Sequence, residues 1–315
     1  MKAMILKQFG GIENFSLEEV PKPKAGPEEV LIEIQAIGID QIDVKSRKGE
    51  GMLNDLKQEH PMILGWDVSG IVSKVGEQVK TFRAGDAVFG TIHFPGPGSS
   101  YAEFAAAPAD QLALKPENIS HAEAAAATQS PLTAWQALID TGHLKKGERV
   151  LIHGGAGGVG NYAIQIAKHF GCYVITTVSD RDKAFVKALG ADEIISYQTQ
   201  KFEEEISEVD FILDTLGGDN FVRSLKVLKP EGMIVLLPSN KKAAADKAAE
   251  TYHIKNYKHI LMHSSGKDMQ EIAEMLRKGT LKVYIDKTYP FKQIPKAHEQ
   301  LENGKVRGKI VITLS

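Results

Sequence analysis

Apolar residues in the first hundred positions come in short β-branched runs, Val30-Leu31-Ile32-Glu33-Ile34, Val68-Ser69-Gly70-Ile71-Val72 and Ala87-Val88-Phe89 among them, separated by frequent Gly and Pro. Runs of that length with turn residues between them predict a β-rich domain of barrel or sandwich type. From His121 to Leu138 the texture turns Ala-rich and helical, with Pro131 expected to break it into two short helices. A boundary is therefore placed near residue 120. From Arg149 short apolar runs alternate with helical patterns: Val150-Leu151-Ile152, Tyr173 to Val178, Glu193 to Ser196, Val209 to Leu213 and Met233 to Leu237. Such a βαβ series predicts a parallel sheet with helices on both faces. The tail from Leu281 returns to strand-like texture and closes on Lys309-Ile310-Val311-Ile312-Thr313. The expected organisation is α/β: a first domain at 1–120, an inserted parallel-sheet domain at 121–260, and a return to the first domain at 261–315. The segment KKAAADKAAE, residues 241–250, reads as a solvated helix.

Composition narrows the function classes. The chain has 315 residues, 43% hydrophobic and 25% charged, with a formal net charge of −2. That is ordinary for a two-domain globular protein and offers no basic excess for nucleic acid or an anionic membrane. MKAMILKQFGG is too short in its apolar part for a signal peptide, and no apolar run approaches the ~20 residues of a membrane span. A cytoplasmic location is expected. The single cysteine, Cys172, excludes an internal disulfide and a Cys-built structural zinc site, and is read as an inert packed thiol. His60, His93 and His153 show no metal-ligand spacing.

The segment VLIHGGAGGVGNYAIQIAKHFG carries G-x-G-x-x-G as Gly155, Gly157 and Gly160, after a predicted strand and at the opening of a helix. In that setting the first glycine permits a tight turn, the second lets backbone approach a pyrophosphate, and the third lets helix and strand pack closely. The loop Gly155-Ala156-Gly157-Gly158-Val159-Gly160 is thus a candidate dinucleotide site, with the helix N-terminus offering N–H groups and a positive dipole end to phosphate. No Lys-Ser/Thr closes the loop, which argues against a triphosphate P-loop. The next strand ends in Ser179-Asp180-Arg181-Asp182-Lys183. A carboxylate at that lip selects NAD, whereas NADP needs it absent and a cation present. Ser179 at the strand end, with Arg181 and Lys183 as clamps, reads as NADP; Asp180, one place on, reads as NAD; and the whole stretch also reads as the first turn of a solvated helix. The residues alone leave these open.

At this point the chain resembles the medium-chain dehydrogenase/reductase superfamily, in its zinc-free quinone oxidoreductase (zeta-crystallin-like) branch. The likeness is carried by MKAMIL, PKPKAGPEEVLIEI, GIDQIDVKSRKGE, HPMILGWDVSGIVSKVG, FRAGDAVFG, AAAATQSPLTAWQAL, GERVLIHGGAGGVG, ALGADEIISY and GKVRGKIVI, in order and nearly end to end. It implies a GroES-like β-barrel substrate domain built from both chain ends around a Rossmann domain, and a homodimer joined through Rossmann sheet edges. It also implies NADPH, through Ser179, Lys183 and Tyr197, with Arg181 adding a contact. The flanking aspartates depart from the family's usual neutral neighbours. Thr133 matches the family's Thr near the nicotinamide ribose, a helix-stabilising hydroxyl being the other reading; Thr215 and Leu216 match its ribose contacts. The zinc ligands of alcohol dehydrogenases are missing: Gly38-Ile39-Asp40 stands where Gly-x-Cys would be, Gly65-Trp66-Asp67 where Gly-His-Glu would be, and Gln129 near the later Cys. One carboxylate is a poor zinc site.

Without a Lewis acid, hydride transfer suits acceptors that are already electrophilic, namely quinones and α,β-unsaturated carbonyls. Asp40 is the candidate catalytic residue: buried beside a nicotinamide it would deliver the completing proton, while its alternative is to cap the helix starting at Gln41. Asp43 is expected to bond backbone in the same turn. Loops Gly49–Leu56 and Pro95–Tyr101 are expected to line the acceptor cleft. Two other readings stay open: an enoyl-thioester reductase, and a non-catalytic NADPH-binding sensor or structural protein.

Overall fold

The computed structural model describes residues 1–52, 56–57 and 59–314. Part of the 49–56 loop therefore lies outside the described residues. The chain folds as two compact units, one made of Met1–Leu132 with Met262–Ser315 and the other of Thr133–Leu261.

In the first unit β1 (Lys2–Leu6) and β2 (Phe15–Glu19) form an antiparallel ribbon. The rest of its strands are β3 (Glu29–Ile39), β4 (Asp67–Val75), β5 (Ala87–Thr91), β6 (Phe104–Pro108) and β7 (Leu112–Leu114). β3 is long enough to serve three partners. Register shifts at Leu31/Ile32 and Ile34/Ala36 bend it along β4, so β6 pairs with its first half while its last four residues are left for the chain's final strand. Such bulges are how a sheet curls toward closure. The helix His121–Ala126, which the change of texture assigns to the inserted domain, packs instead on this sheet, with Ala125 and Ala126 against Ala36 and Val311. Pro131 does not break the helical stretch. The break falls at Ala127–Thr128, and Pro131 lies in the first turn of the helix Gln129–Trp135, where its missing N–H costs nothing.

The second unit contains β8 (Arg149–His153), β9 (Tyr173–Val178), β10 (Glu193–Ser196), β11 (Val209–Asp214), β12 (Leu228–Leu236) and β13 (Tyr257–His259). All pair in parallel in the order β10-β9-β8-β11-β12-β13, so the order reverses between β8 and β11. At such a switch point the carboxyl ends of the strands leave a crevice for a ligand. Leu151, Ile175, Ile195, Ile212 and Ile234 fill one side of the sheet. The 241–250 segment is not simply solvated: in the helix Lys242–Thr251, Ala245 and Ala249 are one turn apart and buried in that core. After the second unit the chain returns through β14 (Ile285–Pro290) to β15 (Lys309–Thr313), which runs between β14 and β3. Among the described residues no helix is long and apolar enough to cross a membrane.

Candidate functional site

In the second unit the glycine loop leaves β8 at the switch point and opens the helix Gly158–His169. Each glycine answers a different contact. A Cβ on Gly155 would lie 2.1 Å from the Thr176 hydroxyl, and one on Gly160 would lie 2.2 Å from the Gly154 carbonyl. Both are required by the loop's own packing. Gly157 is different: its backbone, at φ −75° and ψ 179°, suits any residue, and a Cβ would meet only the Gly154 carbonyl, at 3.3 Å. That contact is tight but single, so the loop's own packing asks less for a glycine here than at Gly155 or Gly160. Ala156, Gly158 and Val159 are half-buried around it. A helix of this length presents its first N–H groups outward.

β9 ends at Val178, making Ser179 the first residue past the strand and Asp180 the second. Ser179 is nearly buried and donates its hydroxyl to Asp182 Oδ2 at 2.6 Å. The charges of the lip pair among themselves, Lys183 with Asp180 at 2.7 Å and Arg181 with Asp182 at 3.3 Å. The Lys183 partnership, with the hydrogen bond it carries, holds the exposed Asp180 carboxyl below its ordinary range. Tyr197 follows β10, directly beside β9, and is 64% exposed. Thr215 follows β11 and donates to the His153 carbonyl at 2.9 Å, at the root of the glycine loop. Asp214 accepts the N–H groups of Leu216 and Gly217, both at 2.9 Å, and so shapes that turn, leaving Leu216 exposed. The carboxyl ends of four adjacent strands thus gather the loop, Ser179, Tyr197 and Thr215. Thr133 is half-buried in the helix Gln129–Trp135.

The first unit holds a cluster that the residue pattern alone did not reveal. Because Ile310 of β15 is in register with Ile39 of β3, the next pair along brings Lys309 opposite Asp40. Lys309 is buried, and its Nζ lies 2.5 Å from Asp40 Oδ1, 3.2 Å from Ser130 Oγ and 3.4 Å from Asp67 Oδ2. Asp67 opens β4, also buried, and its Oδ1 accepts from the Thr91 hydroxyl at 3.1 Å and the Gln129 N–H at 3.2 Å. A Cβ on Gly38 would sit 2.6 Å from the Ala125 carbonyl and 2.7 Å from Asp67 Oδ2, so both hold that position to glycine. Asp40 is the N-cap of the helix Gln41–Arg47, in a capping box with Asp43. Asp43 accepts the Asp40 N–H at 2.7 Å, and the Asp40 carboxylate also accepts from Lys309 and Ser130.

The family profile described as Alcohol dehydrogenase GroES-like domain matches residues 26–117, and the one described as Zinc-binding dehydrogenase matches residues 189–312. The chain is 34% identical to the 2-methylene-furan-3-one reductase of Solanum lycopersicum over 99% of its own length and 79% of that relative. It is 32% identical to NAD(P)H oxidoreductase RTN4IP1, mitochondrial, of Danio rerio over 91% of this chain and 84% of that one. The solved structure of the quinone oxidoreductase from Coxiella burnetii matches with a TM-score of 0.94 and 36% identity, covering 100% of this chain and 99% of the other. The chain belongs to the medium-chain dehydrogenase/reductase superfamily, in its quinone oxidoreductase branch.

Membership in an oxidoreductase superfamily that includes zinc enzymes makes the donor set of the Asp40 cluster worth testing against a metal. Trp66 is fully buried and its indole N–H donates to the Gly96 carbonyl at 2.8 Å; it has no lone pair to offer a metal. The Lys309 ammonium already occupies the side of Asp40 where a second cation would be repelled. Among the described residues no group of three or more His, Cys, Asp and Glu is placed to hold a metal ion. These residues do not suit zinc.

Beneath the cluster, buried Asp43 also accepts from the Tyr101 hydroxyl at 2.9 Å, and Tyr101 is 2.9 Å from His298 Nε2. With Tyr101 donating to Asp43, the His298 Nε2–H donates to the Tyr101 oxygen. Burial, then the neighbouring Asp40 charge, push the Asp43 carboxyl up to about 7 from an ordinary 3.8. A carboxyl raised in the fold contributes stability that is full below 3.8 and lost as pH rises through about 7. Asp43→Asn is therefore expected to gain on the wild type by roughly 2–4 kcal/mol between pH 5 and pH 8.5, at ~1.4 kcal/mol per pH unit. Urea midpoints of both proteins at the two pH values measure this, and a gap that does not change with pH would refute it.

Proposed function

We propose that this protein is a zinc-independent, NADPH-dependent reductase of quinones or α,β-unsaturated carbonyls. Relatives named as a 2-methylene-furan-3-one reductase and a quinone oxidoreductase support the acceptor class. The observation that carries the cofactor assignment is Gly157, a glycine whose Cβ would meet a single atom of its own unit, at 3.3 Å, where those of Gly155 and Gly160 would meet several closer ones, at the switch point of a parallel sheet. A dinucleotide pyrophosphate suits that space. The N–H groups opening the helix Gly158–His169 would hold it, with Ala156, Val159 and Gly160 shaping the loop. Thr133, Thr215 and Leu216 are assigned to the nicotinamide ribose side.

At the adenosine side Ser179, Arg181, Lys183 and Tyr197 are assigned to the 2′-phosphate. Their present partners do not oppose this strongly. Lys183 and Asp180 form an exposed pair three residues apart, which contributes at most ~1 kcal/mol. A charge-assisted bond to phosphate contributes about 1.5–3 kcal/mol, so Lys183 would exchange one for the other. Lys183→Met is expected to weaken NADPH by 10- to 100-fold, to judge from about 1.5–3 kcal/mol per such bond, while leaving NADH nearly unchanged. Asp180→Ala is expected to strengthen NADPH by removing a repelling carboxylate. Equal losses for both cofactors in Lys183→Met would refute the clamp.

When bound, NADPH supplies the hydride. The protein's part is to orient cofactor and acceptor and keep the reaction dry. Zinc independence is supported by Trp66 and Lys309 as described, and predicts that exhaustive chelation leaves turnover of a quinone and enone panel intact. Loss of activity on chelation, restored by zinc, would refute it. A cytoplasmic location and a homodimer joined through the β10 or β13 edge of the parallel sheet belong to the same reading.

A further inference from the structure

We propose that His153 is a positioning residue of the cofactor crevice: a neutral ring carrying its proton on Nε2, it ties the root of the glycine loop to the turn after β11, so that both are held as one piece. This rests on the reading of the loop as a dinucleotide site.

The placement follows from the two-residue period of the strands. On β8, β9 and β11 the residues Leu151, Ile175 and Ile212 fill one side of the sheet. Two places further along each strand the same side presents His153, Thr177 and Asp214. His153 and Thr177 are register partners, and the pair after Ile152 and Leu213 brings Asp214 beside His153. An apolar face therefore ends, at the carboxyl edge of the sheet, in a polar row whose members are no more than 3% exposed. Polar groups so far from water persist only where their hydrogen bonds are made.

The protons of the row can be placed one by one. The Ser224 hydroxyl, on the helix Asp219–Ser224, donates to the Asn220 carbonyl at 2.7 Å, so toward His153 Nε2, at 2.9 Å, it can only accept. His153 therefore carries its proton on Nε2. Its Nδ1 is then an acceptor and receives the Thr177 hydroxyl proton at 3.1 Å. With that proton used, the Thr177 oxygen accepts the Gly154 N–H at 3.3 Å. Hydrogen bonds thus run in one direction from Gly154 through Thr177, His153 and Ser224 to Asn220. A charged ring would aim a second N–H at the Thr177 oxygen, and burial opposes it as well. Burial lowers the ring's pKa to about 4 from an ordinary 6.5; of the charges that face it, Asp214 and Glu203 oppose the fall and Arg223 assists it.

Both ends of the row reach backbone that shapes the crevice. Gly154, in the left-handed region at φ 68°, is where the loop turns: its carbonyl accepts the Gly157 N–H at 3.0 Å and is the atom a Cβ on Gly160 would strike. On the other side the His153 carbonyl accepts the Thr215 hydroxyl at 2.9 Å. Asn220 donates its side-chain amide to Asp214 Oδ1 at 3.2 Å, the same oxygen that holds the Leu216 and Gly217 N–H groups. His153 is itself fully buried and acts through these groups. A loop already fixed in its binding geometry gives up less freedom when the ligand arrives.

The test uses the full-length protein. Nitrogen-15 NMR of the imidazole rings, without cofactor, should show a solvent-protected, neutral Nε2–H ring from about pH 5.5 to 8. Its bare Nδ1 should shift in Thr177→Val, which separates it from His298, the other fully buried ring among the described residues. Thr177→Val keeps the shape and removes the link, and is expected to weaken NADPH about tenfold, the scale of one hydrogen bond. Adenosine 2′-monophosphate, which has no pyrophosphate, should bind as before. Thr177→Ser keeps the hydroxyl and should restore NADPH binding. Ser224→Ala cuts the row at its far end and should give the same split between the two ligands, which decides the matter if Thr177→Val does not fold. A wild-type ring protonated on Nδ1, or charged at neutral pH, overturns the row. NADPH bound by either folded variant as tightly as by the wild type overturns the positioning role, and so does an equal loss for both ligands, which is what a merely structural contact gives. Wild-type protein that binds neither NADPH nor NADH defeats the dinucleotide reading and the proposal with it, an outcome that the wild-type titration alone identifies.

Discussion

Lys309→Met is expected to destabilise the first unit by about 3–5 kcal/mol, the usual consequence of removing one partner of a buried ion pair. Methionine fills much the same volume, so packing is not the cause. Asp40 and Asp67 are left facing each other with Asp43 close by and no cation. Without the cation their carboxyl pKa rises, so they bind a proton more readily in the variant. A raised carboxyl loses its stabilising contribution as pH rises. The loss should therefore be smaller at pH 5 than at pH 8, and Lys309→Arg, which keeps the charge but not the compact ammonium, should restore only part of it. Urea unfolding at the two pH values measures both effects. A deficit below about 1 kcal/mol, the range of an exposed pair, would mean that the cluster is not the electrostatic centre of the barrel.

The glycine loop yields the second large effect as a contrast between neighbours. Gly157→Ala should fold with a smaller loss of stability than Gly160→Ala, because the single contact its methyl meets inside the unit is the Gly154 carbonyl at a tight 3.3 Å, which must give by a few tenths of an ångström. The methyl would stand where the pyrophosphate approaches, and losing one or two charge-assisted backbone bonds at about 1.5–3 kcal/mol each weakens NADPH by roughly 100-fold. Gly160→Ala should do the reverse in kind. Its Cβ would lie 2.2 Å from the Gly154 carbonyl and 2.8 Å from the Gly155 Cα, so the loop itself must shift and thermal stability falls along with binding. Calorimetric titration with NADPH and thermal unfolding of the two variants separate the outcomes. Gly157→Ala binding NADPH as tightly as the wild type would remove the pyrophosphate from this loop.

What was readable in the sequence depended on distance along the chain. The glycine loop lies within one strand-turn-helix unit, so the spacing of Gly155, Gly157 and Gly160 carries its own structural meaning. The end of β9 was legible for the same reason, placing Ser179 one residue past the strand. Pro131 misled because proline disrupts a helix interior but is welcome in the first turn, and nothing local says which turn it occupies. The helix His121–Ala126 looked like the start of a new domain, yet its alanines are small because they lie close against β3 and β15, a constraint set by tertiary packing. The Asp40 cluster was the least legible. Lys309 is 269 residues from Asp40 and 242 from Asp67, and only the pairing of the final strand with β3 joins them. The one local sign was a charged residue at the head of each of two apolar strands, Asp67 before Val68 and Lys309 before Ile310.

The central claim is an NADPH-dependent reductase whose 2′-phosphate is held by Ser179, Arg181 and Lys183. Parallel titration of the wild-type protein with NADPH and NADH, followed by turnover of quinones and enones with the tighter cofactor, tests it most directly. The account predicts tighter binding of NADPH, by at least about tenfold for one net charge-assisted bond, and oxidation of NADPH by members of the panel. Tighter binding of NADH would contradict it and make Asp180 the ribose ligand.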